Sequence, residues 1–88
     1  DYLSLIVVMI DSELHKKIKS TMSKTFGVSI KEINDKTSFL TLDKWDSLNH
    51  VVLIIALEKE FDINLNDELT INMVDYESIF STLKRLVT

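Results

Sequence analysis

The chain has 88 residues and a formal net charge of −4, with one glycine, no proline and no cysteine. A chain of this length forms one small domain that buries only roughly 60 to 65% of its unfolded surface, so we do not expect a large catalytic cleft. The lack of cysteine excludes disulfides and thiolate chemistry of the chain itself, and the negative charge gives no support to nucleic-acid binding.

The apolar stretches of the sequence are too short to cross a membrane, since a transmembrane helix needs about 18 or more apolar residues. Residues 3–10 are apolar but lack the basic flank that precedes the apolar core of a signal peptide. We therefore expect a cytoplasmic protein with no membrane insertion. The two histidines have no compact ligand spacing, so no metal site is predicted.

Residues 1–10 differ from the rest of the chain because they are apolar, rich in β-branched side chains and without helical periodicity. We predict an N-terminal extension over residues 1–10 and a folded domain over residues 11–88. Two interpretations of the extension stay open. Either Met9 is the natural first residue and residues 1–8 are not native, or the extension is an arm that docks on the domain.

From about residue 12 the apolar residues follow a helical period. Those that recur at every fourth position are Leu14, Ile18, Met22 and Phe26. Gly27 follows them, at the place where a left-handed residue commonly ends a helix. This pattern predicts a first helix over about residues 12–26. Further helices are predicted over about residues 47–61, over about residues 68–74, and from about residues 75–78 to residue 87.

The helix-forming composition predicts an all-α fold, a four-helix bundle with three longer helices and one short helix. The first connection, residues 28–44, is long, and Val28, Ile33 and Phe39 are predicted to hold it against the bundle. The apolar arc of the second helix is wide enough to contact several helices. Its predicted buried residues are Leu48, Val51, Ile54, Ile55, Leu57 and Phe61, and those of the last helix are Ile79, Phe80, Leu83, Leu86 and Val87.

Asp46 and Ser47 stand at the predicted start of the second helix. Both residue types are common at a helix N-terminus, where a side-chain oxygen accepts a hydrogen bond from an otherwise unpaired backbone N–H. On its own, an Asp-Ser pair in this place is more typical of a simple helix cap than of a functional site.

A wider set of residues resembles the acyl carrier protein family. The matching features are Ser38-Phe39, the spacing of seven residues from Phe39 to Asp46, Asp46-Ser47-Leu48, Ala56-Leu57-Glu58, Glu60-Phe61, Ile63, Leu65 and Asp67-Glu68. The similarity covers about residues 12–87. Asp-Ser-Leu alone occurs in many proteins, but its place at the start of the second helix, with this flanking pattern, makes the resemblance specific.

The resemblance implies that Ser47 carries 4′-phosphopantetheine, delivered from coenzyme A by a phosphopantetheinyl transferase that uses Mg²⁺. The arm would supply a thiol on which acyl groups travel as thioesters, loaded and removed by other enzymes. Asp46 would help to place Ser47 for the transferase. Leu48 and Val51 would form a small apolar contact for partner enzymes, with Glu58 as a further recognition residue. For Val51, packing within the bundle is an equally good interpretation.

The sequence departs from carriers of primary fatty-acid synthesis at positions where they are typically acidic and this chain has Asn49, Val52 and Lys59. A partner with a strongly basic groove would therefore be a poorer match. Trp45 stands where such carriers usually have a small residue. Its Trp-Asp-Ser-Leu form resembles free-standing carriers of specialised pathways. Trp45 either packs over the bundle or contacts a partner directly.

We therefore predict a monomeric carrier in a specialised acyl or aminoacyl pathway. The alternatives are a general fatty-acid carrier and, in another class, an unmodified helical interaction module.

No catalytic residue is predicted, because no nucleophile, base and orienting group can be named together. His50 could make partner recognition depend on pH near neutrality, but a lone histidine on a helix face more often has no functional role. If the carrier binds a long acyl chain inside the bundle, some core side chains have to move apart to admit it. These side chains are Phe39, Ile54, Ala56, Leu57, Ile63, Ile71 and Leu83. For a carrier of short or polar acyl groups, a closed core is the better prediction.

Overall fold

The computed structural model describes residues 1–87, and α-helices make up most of that range. They are α1 (Tyr2–Phe26), α2 (Ser47–Phe61), α3 (Asp67–Asn72) and α4 (Tyr76–Val87). A 3₁₀ turn, Ile30–Glu32, lies between α1 and α2, and the described residues form no β-strand. The predicted all-α bundle with three longer helices and one short helix is confirmed. Within residues 1–87 no helix is long and apolar enough to cross a membrane.

The first helix begins at Tyr2 and not near residue 12. Asp1 is its N-cap, and Oδ1 of Asp1 accepts a hydrogen bond of 2.8 Å from the Ser4 N–H. Residues 2–10 show no helical period in sequence because they are apolar on nearly every side of the helix. All of them except Ile6 are exposed, so the structure does not show a docked arm. The division between residues 1–10 and 11–88 stays a prediction, and α1 passes through it without a break.

The predicted end of α1 and its predicted buried stripe are both confirmed. Gly27 has φ 67° and ψ 35°, and its N–H donates to the Ser23 carbonyl at 2.9 Å. Glycine adopts this left-handed conformation at little steric cost. The buried residues of α1 are Leu14, Ile18, Met22 and Phe26, which pack into the common core with α2 and α4.

The long first connection folds back onto the bundle. Ile33 is 3% exposed and half-buried Val28 packs against the core, so both hold the connection as predicted. Phe39 is 42% exposed, and its predicted burial is wrong. The Phe39 N–H instead donates to the Val74 carbonyl at 2.9 Å. Backbone pairing, and not the aromatic ring, therefore ties this part of the connection to the segment before α4.

The buried face of α2 is shifted from the one that the sequence predicts. Ile54 and Leu57 are buried as expected, together with Leu53 at 0% exposure. The predicted core residues that are exposed by more than half are Leu48, Val51 and Ile55. Because α2 is apolar on nearly every side, its sequence does not fix which side faces the core, and packing against α1 decides it.

In α4, the predicted burial of Ile79 and Leu83 is confirmed, and Phe80 packs half-buried against the core. Leu86 and Val87 were also predicted to be buried, but they are 45% and 41% exposed. They lie in the last helical turn, where no further turn of α4 covers them. The core of the bundle therefore ends near Leu83.

His15 connects α1 to α4. Its Nδ1 shares a hydrogen bond of 2.7 Å with the Tyr76 hydroxyl, and its ring stacks on Phe80 with the centroids 4.0 Å apart. Burial lowers the pKa of His15 below its usual 6.5, and the positive charge of Lys19 lowers it further. Burial also raises the pKa of Tyr76 to about 12, so this hydroxyl stays protonated near neutral pH.

We expect the His15 contribution to stability to be lost as the pH falls through 6.5 toward the lower pKa of the folded protein. Below 6.5 the unfolded chain binds a proton at this side chain more readily than the folded chain does, so protonation favours unfolding. The free energy of unfolding of the wild type and of His15→Gln is measured by denaturant titration from about pH 8 to about pH 5.5, where most carboxylates stay ionised. The advantage of the wild type should shrink toward the acidic end; a difference that stays constant with pH would contradict the prediction.

The face of α2 that is buried can be tested with one type of substitution at two positions. Leu53→Ala should lower the free energy of unfolding by about 2–5 kcal/mol, because it removes a fully buried side chain and leaves a cavity. Leu48→Ala should change it by no more than about 0.5 kcal/mol, because Leu48 is 73% exposed. Thermal and denaturant unfolding measure both. Equal losses at the two positions would show that α2 packs with a different face.

Candidate functional site

Ser47 is the first residue of α2, and Asp46 is the N-cap of this helix. Oδ1 of Asp46 accepts a hydrogen bond of 2.8 Å from the Asn49 N–H. The Asn49 side chain in turn donates to the Lys44 carbonyl at 2.8 Å. These bonds fix the backbone on both sides of Ser47, and the capping role predicted for Asp46 is observed.

The hydroxyl of Ser47 and the first backbone N–H groups of α2 have no hydrogen-bond partner among the described residues. Ser47 is exposed, and within residues 1–87 no group forms a hydrogen bond with its Oγ or with the N–H groups of Ser47 and Leu48. Unpaired N–H groups at a helix start lie at the positive end of the helix dipole and favour a phosphate. The phosphodiester that the resemblance implies therefore fits on Ser47, with these two N–H groups as donors.

A cavity of about 310 Å³ opens beside Ser47. Its lining residues are Phe39, Ser47, His50, Thr70, Ile71 and Val74. Phe39 and Ile71 were expected to face the interior, but they are 42% and 72% exposed and form outer walls of this cavity. Leu53 and Met73 are fully buried in the core and do not line this cavity. Entry of an acyl chain into the bundle stays a prediction.

Trp45, His50 and Thr70 form a hydrogen-bonded series next to the cavity. The Trp45 Nε1–H donates to Nδ1 of His50 at 3.0 Å. An indole nitrogen is a donor only, so Nδ1 is the accepting nitrogen and the ring proton is on Nε2. Nε2 of His50 donates that proton to the Thr70 carbonyl at 3.0 Å. His50 thus joins the start of α2 to α3.

Ser47 and His50 line the same cavity, but they do not form a nucleophile and base pair. Both ring nitrogens of His50 are already engaged, with Trp45 and with Thr70. A base has to present a free nitrogen within hydrogen-bond reach of the hydroxyl. The carboxylate of Asp46 is engaged in capping. Among the described residues, neither His50 nor Asp46 is therefore aligned as a base on the exposed Ser47 hydroxyl.

The predicted partner-recognition residues fall into two groups. Leu48 and Val51 are 73% and 55% exposed, on the turn of α2 that begins with Ser47. Trp45 is 1% exposed, so it packs in the bundle and its predicted direct contact with a partner is wrong. Burial against Phe26, with ring centroids 5.4 Å apart, is the reason. Oε2 of half-buried Glu58 accepts from the Leu65 N–H at 2.9 Å, and its role in recognition stays a prediction.

Thr70 and Val74 lie beside Ser47, and neither of them was given a role from the sequence. Thr70 supplies the carbonyl that His50 binds, and Val74 lines the cavity. A backbone carbonyl leaves no signal in sequence, so Thr70 is not identifiable before the structure is known. The position of His50 three residues after Ser47, on neighbouring parts of one helix face, is the signal that connects it to the site.

A larger cleft than the one beside Ser47 lies elsewhere. It has a volume of about 690 Å³ and is open to solvent between α1 and the first connection. His15, Lys19, Asp35 and Tyr76 are among its lining residues, and none of its lining residues borders the cavity beside Ser47. Its size therefore does not make it the functional site; the free hydroxyl and the open helix start are at Ser47.

The capping role of Asp46 predicts different effects of two substitutions. Asp46→Ala should lower the free energy of unfolding by about 1 kcal/mol, because the Asn49 N–H loses its acceptor. Asp46→Asn should leave it nearly unchanged, because asparagine caps helices about as well as aspartate. Unfolding curves of the two variants and of the exposed control Asp43→Ala measure this. Equal losses for Asp46→Ala and Asp46→Asn would show that charge, and not capping, is what stabilises this end of α2.

Comparison with known proteins identifies the family. Residues 16–88 match the family profile described as phosphopantetheine attachment site. The acyl carrier protein of Buchnera aphidicola subsp. Schizaphis graminum (strain Sg) is 42% identical over 57 residues, which are 65% of this chain and 72% of that protein. The acyl carrier protein of Buchnera aphidicola subsp. Baizongia pistaciae (strain Bp) is 34% identical over 74 residues, 84% of this chain and 95% of that protein.

A third relative, the acyl carrier protein of Karelsulcia muelleri (strain GWSS), is 31% identical over 74 residues, 84% of this chain and 89% of that protein. The profile match covers all four helices from the second half of α1 onward and includes Ser47. Such proteins are carriers and not catalysts, and their prosthetic group is covalent 4′-phosphopantetheine. The chain therefore belongs to the acyl carrier protein family.

Proposed function

We propose that Ser47 is the residue to which 4′-phosphopantetheine is attached, and that the protein tethers acyl or aminoacyl intermediates on it, as a monomer, in a specialised pathway. The observation that carries the proposal is the open start of α2. Ser47 is exposed there, with its hydroxyl and two neighbouring N–H groups unpaired among the described residues. When bound, the group supplies a thiol that forms thioesters, and this chain has no cysteine that could do so.

Other serines with defined hydrogen bonds are less suited to modification. The Ser29 hydroxyl accepts from the Lys31 N–H at 3.2 Å, and that of Ser38 accepts from the Leu40 N–H at 3.2 Å. Ser78 bonds to Asp75 through its hydroxyl. Esterification of Ser78 would remove the proton that its hydroxyl donates, and a bulky group on Ser29 or Ser38 would crowd the N–H group that bonds to the hydroxyl. Ser47 loses no such bond.

In this proposal each residue around Ser47 has a defined task. The N–H groups of Ser47 and Leu48 bind the phosphate, and Asp46 holds the turn that presents the hydroxyl. The apolar side chains of Leu48 and Val51 contact the phosphopantetheinyl transferase and the acyl-handling enzymes. Trp45 acts through His50, whose two hydrogen bonds fix α3 beside the arm.

The composition of α2 supports a specialised pathway. Asn49 and Val52 provide no charge near Ser47, and Lys59 separates Glu58 from Glu60. Partners that recognise carriers through a basic groove find little to attract them on this helix. The second candidate, a general fatty-acid carrier, is favoured by the relatives, which are named simply acyl carrier protein. The thioester species isolated from native cells separates the two.

Loading of Ser47 is tested by intact-mass measurement. After incubation with coenzyme A, Mg²⁺ and a broad-specificity phosphopantetheinyl transferase, the wild type should gain one phosphopantetheinyl group and Ser47→Ala none. Ser38→Ala is the matched control, because it removes another serine hydroxyl of the same region. It should gain the group as the wild type does. An unmodified wild type, or a modified Ser47→Ala, would refute Ser47 as the attachment site and leave an unmodified interaction module as the alternative.

A further inference from the structure

The cavity beside Ser47 has apolar walls. The residues that form these walls are Phe39, Ile71 and Val74. All three side chains are exposed, so the fold leaves part of their apolar area in water. Two of the walls are held together by the backbone, because the Phe39 N–H donates to the Val74 carbonyl at 2.9 Å. The cavity is therefore an apolar surface whose shape is set by the packed chain.

The polar groups of the cavity are already engaged. Nδ1 of His50 accepts from Trp45, and its Nε2 donates to the Thr70 carbonyl. The Thr70 hydroxyl donates to the Asp67 carbonyl at 3.0 Å. Among the lining side chains, only the Ser47 hydroxyl keeps no partner within residues 1–87, and it is the proposed attachment atom. An occupant of this cavity is therefore recognised by apolar contact, since a polar one would lose its hydrogen bonds to water.

Any group that is esterified to Ser47 is tethered at the edge of this cavity. Tethering gives an effective concentration in the millimolar range, so even a weak apolar contact is populated. In 4′-phosphopantetheine, the second carbon from the phosphate carries a pair of methyl groups, and the hydroxyl, amides and thiol follow further along the arm. We propose that Phe39, Ile71 and Val74 bind this methyl pair, so that the first part of the arm rests on the protein. This inference rests on the proposed modification of Ser47.

The same contact stabilises α3. Thr70 and Ile71 belong to α3, a helix of six residues in which no side chain is fully buried. Within residues 1–87, the bond from His50 to the Thr70 carbonyl is the hydrogen bond that joins this short helix to α2. Local opening of α3 removes one wall of the cavity, so an arm bound there favours the packed position of α3 by mass action.

NMR spectroscopy of the full chain, loaded with an isotope-labelled arm and kept reduced, observes the methyl pair directly. Its signals should move away from their positions in coenzyme A, because the ring current of Phe39 acts on them. They should also show nuclear Overhauser effects to Phe39, Ile71 and Val74. Signals at the positions of coenzyme A, or Overhauser effects to other residues only, would overturn the proposal. Signals that depend on protein concentration would show a second copy in the cavity and overturn it as well.

A matched pair of double variants tests the walls. In the wild type, loading should slow hydrogen exchange of the Thr70 N–H at least about threefold, the factor expected when the effective concentration of the arm is about twice its dissociation constant. Phe39→Ser/Ile71→Ser should lose this slowing. Leu40→Ser/Ile55→Ser should keep it, because these two residues are exposed but do not line the cavity. Equal slowing in the two double variants would count against the walls as the binding site.

Two further results keep this inference separate from the one on Ser47. If intact mass shows that the wild type is never loaded, the proposal on Ser47 fails and arm binding fails with it. If the wild type is loaded and its methyl signals match those of coenzyme A, only arm binding fails. An attached acyl chain that displaces the methyl pair would assign the cavity to the cargo and overturn the proposal. The wild-type spectra decide these outcomes without any variant, and circular dichroism checks that each double variant folds.

Discussion

The burial of Trp45 is the interaction on which the site depends. The indole is 1% exposed, lies against the Phe26 ring at the end of α1, and donates to His50 on α2. Nε2 of His50 in turn donates a hydrogen bond to the Thr70 carbonyl in α3. One buried ring and one imidazole thereby fix the first connection and three helices relative to one another, and Ser47 lies in the chain between them.

This support explains why an exposed serine is held in a defined place. The segment around Ser47 has few apolar side chains facing the core, so its backbone would otherwise be free to move. Trp45 holds it from the bundle side, while Asp46 and Asn49 hold it through bonds to the backbone on either side. Each of these groups is engaged in the fold. Within residues 1–87, the Ser47 hydroxyl and the adjoining N–H groups keep no hydrogen-bond partner and stay free at the surface.

The sequence predicts the helices better than it predicts which faces they bury. The fourfold spacing from Leu14 to Phe26 determines both the helix and its buried side, because only one side of that part of α1 is apolar. In residues 2–10 and in α2 the apolar residues surround the helix, so periodicity carries no information on where it starts or which way it faces. Asp46 and Ser47 were placed correctly because capping is a local property. The bond from His50 to Thr70 joins residues that are 20 positions apart in the sequence, so it forms only once the helices are packed and cannot be predicted locally.

The two apolar sides of α2 differ in what covers them, since one faces the bundle and the other faces water. Leu53, Ile54 and Leu57 are covered by the bundle and stabilise it, whereas the opposite side of α2 leaves much of the apolar area of Leu48, Val51, Val52 and Ile55 in water. Exposed apolar area carries a risk of self-association, which the net charge of −4, located outside residues 47–57, opposes through repulsion between copies. The exposed side of residues 47–57 therefore offers a partner apolar area and no charged side chain.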